Sequence, residues 1–346
     1  MRPHPSIVLA MATAFLACTG ETVALPPPPP VNWPSLDMRP APDAGVDIVS
    51  AKERALAEAY VRALASPDFS ELGPLLDDDA HFAGPGMPDV HGQRPVVRAH
   101  DELFGAFDDR HITASRVWRT PREQTIEWTL TGTQAREYGG VAATHKAVAF
   151  RGLTLLWTQD DGRITDAHVY VDVAIIKAQL GVGAKSLLSL SAPSVPVGPV
   201  ETLEQADKPS AMELGEISQV RAWLDAFENR KEAEFVGAAT GDVELTTLEA
   251  AQPARGADGL KAYYTFMHRS IGQLDTTISN AWAVGPFAIV EYFIAGEQLG
   301  PLGWIPFQRD KVIRMELVDI CEIRDGKIKH IWRYDNPEQL LGQSHP

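Results

Sequence analysis

Asp166, His168 and Tyr170 stand at every second position of the run Ile164–Asp172. In a β-strand that spacing places them on one face, together with Asp172, and leaves Thr165, Ala167, Val169 and Val171 on the other. A carboxylate beside an imidazole favours the protonated ring and fixes its tautomer, so the two can work as general acid and base. Asp166 and His168 are therefore the candidate catalytic residues, and Tyr170 a candidate ligand contact. The competing reading is that this face simply meets solvent or a partner domain.

The same pattern returns further along the chain. At an offset of 164 residues, Glu127-Trp128-Thr129-Leu130-Thr131-Gly132-Thr133-Gln134 matches Glu291-Tyr292-Phe293-Ile294-Ala295-Gly296-Glu297-Gln298. One constant register also pairs Gly92 with Gly256, Trp118 with Trp282, Val148 with Val312, Asp161-Gly162 with Asp325-Gly326, and Gln179 with Gln343. Unrelated stretches would not share one offset, which points to a tandem duplication. In the second copy the face of Asp166, His168 and Tyr170 becomes His330, Trp332 and Tyr334. The first copy is thus expected to be the better equipped for proton transfer. The second retains an aromatic, ligand-gripping face. Glu127, Gln134, Glu291 and Gln298 complete the candidate ligand contacts. For the two glutamates, an outward charge on a solvated strand is the plainer alternative. Trp118 and Trp282 read as core.

The elements that must position these groups have the same order in both copies. Leu56, Tyr60 and Ala63, and later Ile217, Val220, Leu224 and Phe227, are spaced for one helical face. A second helix carries Val96, Leu103, Phe104 and Phe107 after Pro95 in its first turn, or Leu260, Tyr263, Tyr264 and Met267 in copy two. Residues 111–119, 124–134, 147–158 and 163–172 are rich in β-branched and aromatic types, and the Asp-Gly pairs suit tight hairpins. Helices followed by a run of strands predict an α+β fold, each domain a curved antiparallel sheet packed on helices. The domains fall at 49–181 and 213–343. Between them, residues 182–212 hold Pro193, Pro196 and Pro199 without a periodic apolar pattern and read as a linker.

The first residues read as an export signal. Arg2 precedes the apolar run Ile7–Leu16, too short to span a bilayer. Phe15-Leu16-Ala17-Cys18 resembles a bacterial lipobox, which would make 1–17 a signal peptide and Cys18 a lipidated N-terminus. Plain cleavage near Ala24 is the alternative. Residues 18–48, with Pro26–Pro30, read as a tether. An exported lipoprotein of the outer membrane or cell surface is expected, in preference to a free periplasmic one, contacting the membrane only through its anchor. The other cysteine, Cys321, lies in a strand-like run and reads as a buried, inert thiol.

The formal net charge of −15, with no basic cluster, argues against nucleic acid as a partner. No histidine spacing suggests a metal site, two cysteines exclude a thiolate zinc site, and no nucleotide-binding loop or nucleophile elbow is present. No cofactor is expected.

Gly300-Pro301-Leu302-Gly303, Val318-Asp319-Ile320, Arg324-Asp325-Gly326-Lys327-Ile328 and Trp332 resemble the SnoaL-like polyketide and ester cyclases of the nuclear transport factor 2 superfamily. So do Trp128–Thr133, Asp161-Gly162-Arg163-Ile164 and Ala178-Gln179-Leu180-Gly181 in copy one. The resemblance implies a conical pocket for a small, mostly apolar molecule, with a carboxylate or histidine deep inside when the protein is an enzyme. The chain departs from that pattern. Gln134 and Gln298 stand where members often carry histidine, and an amide cannot exchange protons. A common Thr-Gly-Lys stretch appears as Thr144-His145-Lys146 and reads as lost at Gln308-Arg309-Asp310. These departures favour a non-catalytic binder of a small apolar ligand. A cofactor-free cyclase, isomerase or dehydratase using Asp166 and His168 is the second reading. The third is an interaction scaffold, its sheets pairing as an intramolecular pseudo-dimer or a homodimer.

Overall fold

The computed structural model describes residues 51–343, apart from 185, 188, 189, 191, 206–208 and 251. The export signal, Cys18 and the whole tether lie outside the described residues. No described helix is long and apolar enough to cross a membrane.

Copy one runs α1 (Ala51–Ala65), β1 (Leu76–Ala83), β2 (Val90–His91), α2 (Gln93–Phe104), β3 (His111–Arg119), β4 (Glu123–Thr133), β5 (Ala147–Thr158), β6 (Ile164–Val171) and α3 (Val173–Gln179). A short strand β7 (Glu201–Glu204) follows. Copy two runs α4 (Ala211–Glu228), α5 (Glu232–Gly237), β8 (Ala239–Thr247), β9 (Ala254–Arg255), α6 (Gly256–Ser270), β10 (Ile271–Val284), β11 (Phe287–Gln298), β12 (Val312–Arg324), β13 (Lys327–Asp335) and α7 (Gln339–Gly342). The strand orders are β2-β1-β6-β5-β4-β3-β7 and β10-β11-β12-β13-β8-β9. The fold is α+β, two tandem sheets on helices. Each sheet is mixed, because β1 runs parallel to β6 and β8 parallel to β13. The helix between β1 and the later hairpins is the crossover that a parallel neighbour requires.

Helix starts follow local chemistry. Ser210 caps α4 by accepting from the Glu213 N–H, while Glu213 reaches back to the Ser210 N–H. Asp172 caps α3 through the Ile175 N–H. The interdomain stretch is less irregular than its composition suggests. Its β7 adds as a parallel edge strand beside β3, with Arg119 bridging to Glu204 at 3.1 Å.

The constant offset fails in one strand. β4 and β11 keep the offset of 164, but the pairings Gly132↔Val148 and Gly296↔Ile313 make Ile313, not Val312, the counterpart of Val148. Copy two has one extra residue in the loop before β12 and one fewer in the following hairpin. There Asp325 and Gly326, both at positive φ, make a two-residue turn. A slip of one residue exchanges the two faces of a strand. Asp319 is therefore the counterpart of Thr154, not of Leu155. Lys146 also has a counterpart in copy two: Lys146 donates to the Leu180 carbonyl, and Lys311, one place later than the offset predicts, donates to that of Leu340.

Among the described residues three large apolar clusters organise the molecule, beside a small fourth one of Ala174, Ala178 and Leu187. One lies between the first sheet and its helices and includes Tyr60, Phe82, Phe104, Trp128 and Phe150. A second lies under α4 and α6, with Trp223, Phe227, Phe235, Tyr292 and Leu317. Cys321 belongs to it, fully buried, its thiol pushed well up by that burial. The third joins the opposite faces of the two sheets. Trp118, Leu153, Leu155 and Tyr170 meet Trp282, Val284, Phe287, Ile289, Val318, Ile320 and Tyr334. Trp118 packs edge-on against Phe287 at 5.6 Å, and Trp157 against Trp282 at 5.7 Å. Each sheet is thus buried on both faces in its centre.

Candidate functional site

The alternating face of β6 does not line the hollow of the first cone. Ala167, Val169 and Val171 face the helices, and His168 and Tyr170 face the other domain. Period-two alternation separates the faces but does not say which one the helices cover. Tyr170 donates to Glu291 Oε1 at 2.6 Å, and His168 Nδ1 lies 2.6 Å from the same oxygen. Tyr334, matched to Tyr170, donates to Glu127, matched to Glu291. These five residues therefore sit at the junction between the domains.

The junction differs in the source of its positive charge. Glu127 takes two hydrogen bonds from Arg116 of its own sheet, at 2.6 and 3.0 Å. The counterpart of Arg116 is Asn280, which also donates to Glu291 but carries no charge. His168 stands there instead; burial pushes its pKa down, but the neighbouring Glu291 outweighs burial and raises it. Burial pushes the carboxyl of Glu291 up, yet His168, Tyr170 and Asn280 outweigh it and hold the group below the ordinary glutamate range. Glu127 is likewise held low, with Arg116 and Tyr334 overcoming burial. Trp332 stands where His168 does, under the Arg116 guanidinium at 4.2 Å. His330 stacks on Trp332 and contacts Glu322 through Nδ1 at 2.6 Å. Asp166 lies at the rim, 3.2 Å from His81 Nδ1.

Gln134 and Gln298 clamp loops. The Gln134 amide donates to the Val141 carbonyl and accepts from the Thr144 N–H and hydroxyl. Gln298 does the same with Gly300, Pro306 and Gln308. Their matched positions share one structural task, the holding of a loop.

The hollows of the two cones differ. In copy one, Trp128 fills the space and donates to Thr154 at 2.9 Å. A Cβ on Gly152 would stand 2.3 Å from its ring, so glycine is what admits the indole. Below it the Tyr60 hydroxyl bonds His100 Nε2 at 2.8 Å, and burial pushes His100 down to about 4, so the ring is neutral. In copy two the place of Trp128 is taken by Tyr292, that of Thr154 by Asp319 and that of Val169 by Arg333. Arg333 grips Asp319 through Nε at 2.8 Å and a terminal nitrogen at 2.7 Å, and also donates to Tyr292 and Tyr263. Tyr292 donates to Asp319 at 2.8 Å. A buried ion pair so fully hydrogen-bonded is a rigid polar centre. The second copy, not the first, carries the charged groups inside its cone, contrary to the expectation from β6.

Beside this centre lies a cavity of about 400 Å³ between the domains. Its wall includes Phe150, Ile175, Leu190, Leu248 and Trp332, and its polar members are Asp172 and Arg333 together with Arg151, Thr246, Thr247 and Gln252. Asp172 is 3% exposed; one carboxylate oxygen caps α3, and the other has no hydrogen-bond partner among the described residues. Burial, reinforced by the charge of Asp335, pushes Asp172 up to about 7. Asp335 and Glu249 are raised by burial as well. Three acids from two domains thus gather with less compensation than their burial demands.

The SnoaL-like domain model matches residues 57–167 and again 220–331, well over half the chain. The chain belongs to the SnoaL-like family. A Jannaschia sp. CCS1 structure of SnoaL-like polyketide-cyclase type is similar over 39% of this chain and 95% of its own, with 14% identity and a TM-score of 0.36. An M. tuberculosis LEH-like epoxide hydrolase is similar over 37% and 88%, at 19% identity and TM-score 0.31. A Catenulispora acidiphila protein with a ketosteroid isomerase-like fold, solved with trimethylamine, is similar over 36% and 91%, at 16% identity and TM-score 0.32. No curated protein matches the sequence.

Within this SnoaL-like pair, sequence reasoning passed over Arg333, Asp319, Tyr292 and Tyr263. A signal was present: Arg333 and Asp335 share one strand parity, opposite to His330's neighbours Trp332 and Tyr334. Asp319 was hidden by the one-residue slip, which placed it against Leu155.

Proposed function

We propose that this SnoaL-like protein binds a small, largely apolar molecule carrying one hydroxyl or carbonyl group, in the cavity between its domains. The observation that carries this reading is a cavity of largely apolar lining whose wall includes the buried Asp172. Small-molecule sites are commonly of this size and pair an apolar lining with a few fixed polar groups. A carboxyl near neutrality can donate to a carbonyl or accept from a hydroxyl. The test is saturable binding of a neutral apolar fluorophore, N-phenyl-1-naphthylamine, followed by competition with hydroxylated and carbonyl-bearing ring compounds. Leu248→Trp, which narrows the cavity with a bulky indole, is expected to weaken binding. Equal binding by that variant sinks the proposal.

A second reading, cofactor-free proton transfer, rests on the same acid. A group titrating near 7 is suited to general acid–base work at neutral pH. It replaces Asp166 and His168 with Asp172 as the proton carrier, and turnover of any binder found above, lost in Asp172→Asn, is its test. The reciprocal tyrosine–glutamate bonds support treating the two domains as an intramolecular pseudo-dimer. Envelope anchoring through Cys18 rests on the lipobox-like sequence alone.

A further inference from the structure

Three histidines and two aspartates gather at the free rim of the first sheet. His81 on β1 lies directly opposite His91 on β2 and opposite Asp166 on β6, and His168 is two residues further along β6. Asp89 closes the group from the β1–β2 connection. The His81 and His91 rings stack at 4.4 Å, and His81 meets His168 edge-on at 5.8 Å. Candidate ligand atoms of His81, Asp166 and His168 lie within 4.8 Å of one another.

Each of the two inner histidines has a nitrogen placed to meet a cation, whether a proton or a metal ion. His81 Nε2 lies 2.8 Å from Asp89 Oδ1, and its Nδ1 lies 3.2 Å from Asp166 Oδ1. A neutral imidazole has one N–H, so one of these nitrogens directs a lone pair at a carboxylate oxygen. His168 Nδ1 is held by Glu291, which leaves Nε2 as its second nitrogen. Each histidine therefore has one nitrogen backed by a carboxylate, the arrangement that orients metal-ligating imidazoles. The 3.2 Å between His81 Nδ1 and Asp166 Oδ1 is close to the separation, about 3.3 Å, of two ligands about 2.0–2.1 Å from one tetrahedral ion. Side chains of His81, Asp166 and His168 are 21%, 18% and 20% exposed, which leaves an entry path and room for a water or substrate ligand.

We propose that His81, Asp166 and His168 form a binding site for a divalent first-row transition ion of the zinc type. Asp89 and Glu291 orient the two imidazoles. Two nitrogens and one carboxylate suit such an ion better than calcium or magnesium, which prefer all-oxygen shells. The ion takes the place of protons on His81 Nδ1 and His168 Nε2 and leaves the Nε2–H and Nδ1–H bonds to Asp89 and Glu291 intact. The site uses Asp166 and His168, the pair first singled out for proton transfer, as ligands instead. Its histidines are not recognisable by spacing, because His81 and Asp166 are 85 residues apart.

The test is titration of the chelator-stripped full chain with Zn²⁺ by calorimetry and with Co²⁺ by visible absorption. One ion per chain is expected, with His81→Asn and Asp166→Asn weakening it at least tenfold. Asp89→Asn should cost about 10–100-fold, the usual effect of losing an orienting partner. His91→Ala should bind as the parent does. His168→Asn removes the counter-charge of Glu291, so it is made together with Asn280→Arg, which supplies that charge from the Arg116 position. Thermal melts with and without Zn²⁺ check that each variant folds. No uptake by the folded parent, or unchanged affinity in folded Asp166→Asn, overturns the site. Loss of binding in His91→Ala with retention in the His168→Asn pair moves the ion to His81, Asp89 and His91 and overturns this ligand assignment.

Discussion

The Tyr170 hydroxyl reaches across the domain junction to Glu291 at 2.6 Å, and its duplicate Tyr334 makes the mirrored bond to Glu127. Both glutamates are buried, so these are hydrogen bonds to charged groups out of water. Tyr170→Phe and Tyr334→Phe should each cost about 1.5–3 kcal/mol of stability. Guanidinium denaturation of the single and double variants measures this. Unchanged midpoints in both would mean that the junction does not depend on the bonds.

The polar centre of the second cone offers a swap. Asp319→Thr or Arg333→Val alone installs the residue of copy one and strands its partner's charge, at a cost of about 3–5 kcal/mol. Together they remove both charges, and the double variant should be more stable than the sum of the singles predicts. A double-mutant cycle by denaturation reads the coupling, and strict additivity would contradict the pairing.

Trp128 plugs the first cone. Trp128→Ala should cost about 3–5 kcal/mol and open a dry hollow able to take up a small apolar molecule such as benzene. Gly152→Ala should also destabilise, since its methyl group would meet the indole. Trp128→Phe in the Gly152→Ala background should recover part of that loss in thermal unfolding.

Asp172 gives a pH dependence of definite sign. Its carboxyl is raised from 3.8 to about 7 in the folded chain, chiefly by burial. A raised group stabilises fully below its unfolded value, and that contribution is lost as pH rises through the folded value. Stability should therefore fall between about pH 4 and 7 by an amount that Asp172→Asn removes. Denaturation midpoints across this range check it, and an identical slope in the variant would refute it.

Cys18→Ala should shift the expressed protein from the detergent phase to the aqueous phase on phase separation. The same partition for variant and parent would remove the lipid anchor from the account.

Much of the architecture was legible because its signals are local. The apolar spacing of Leu56, Tyr60 and Ala63, the β-branched runs and the Asp-Gly turns depend on residues a few positions apart. Repetition of the same signals exposed the duplication, and with it the matched Trp118 and Trp282. Alternation likewise separated Asp166, His168 and Tyr170 from Ala167 and Val169 correctly. Which of those faces becomes the inside of a cone was decided only in three dimensions. Both faces of the central strands are buried, one by helices and one by the other domain, so hydrophobicity alone does not distinguish them. One extra residue near Arg309 and Asp310 turned Asp319 into the second cone, a change too small to break the visible repeat but enough to exchange strand faces. The contacts of His81 with Asp166, Tyr170 with Glu291 and Arg333 with Tyr263 join residues 85, 121 and 70 positions apart. Such neighbours arise from how strands are ordered and sheets are stacked, and no local pattern in the chain encodes them.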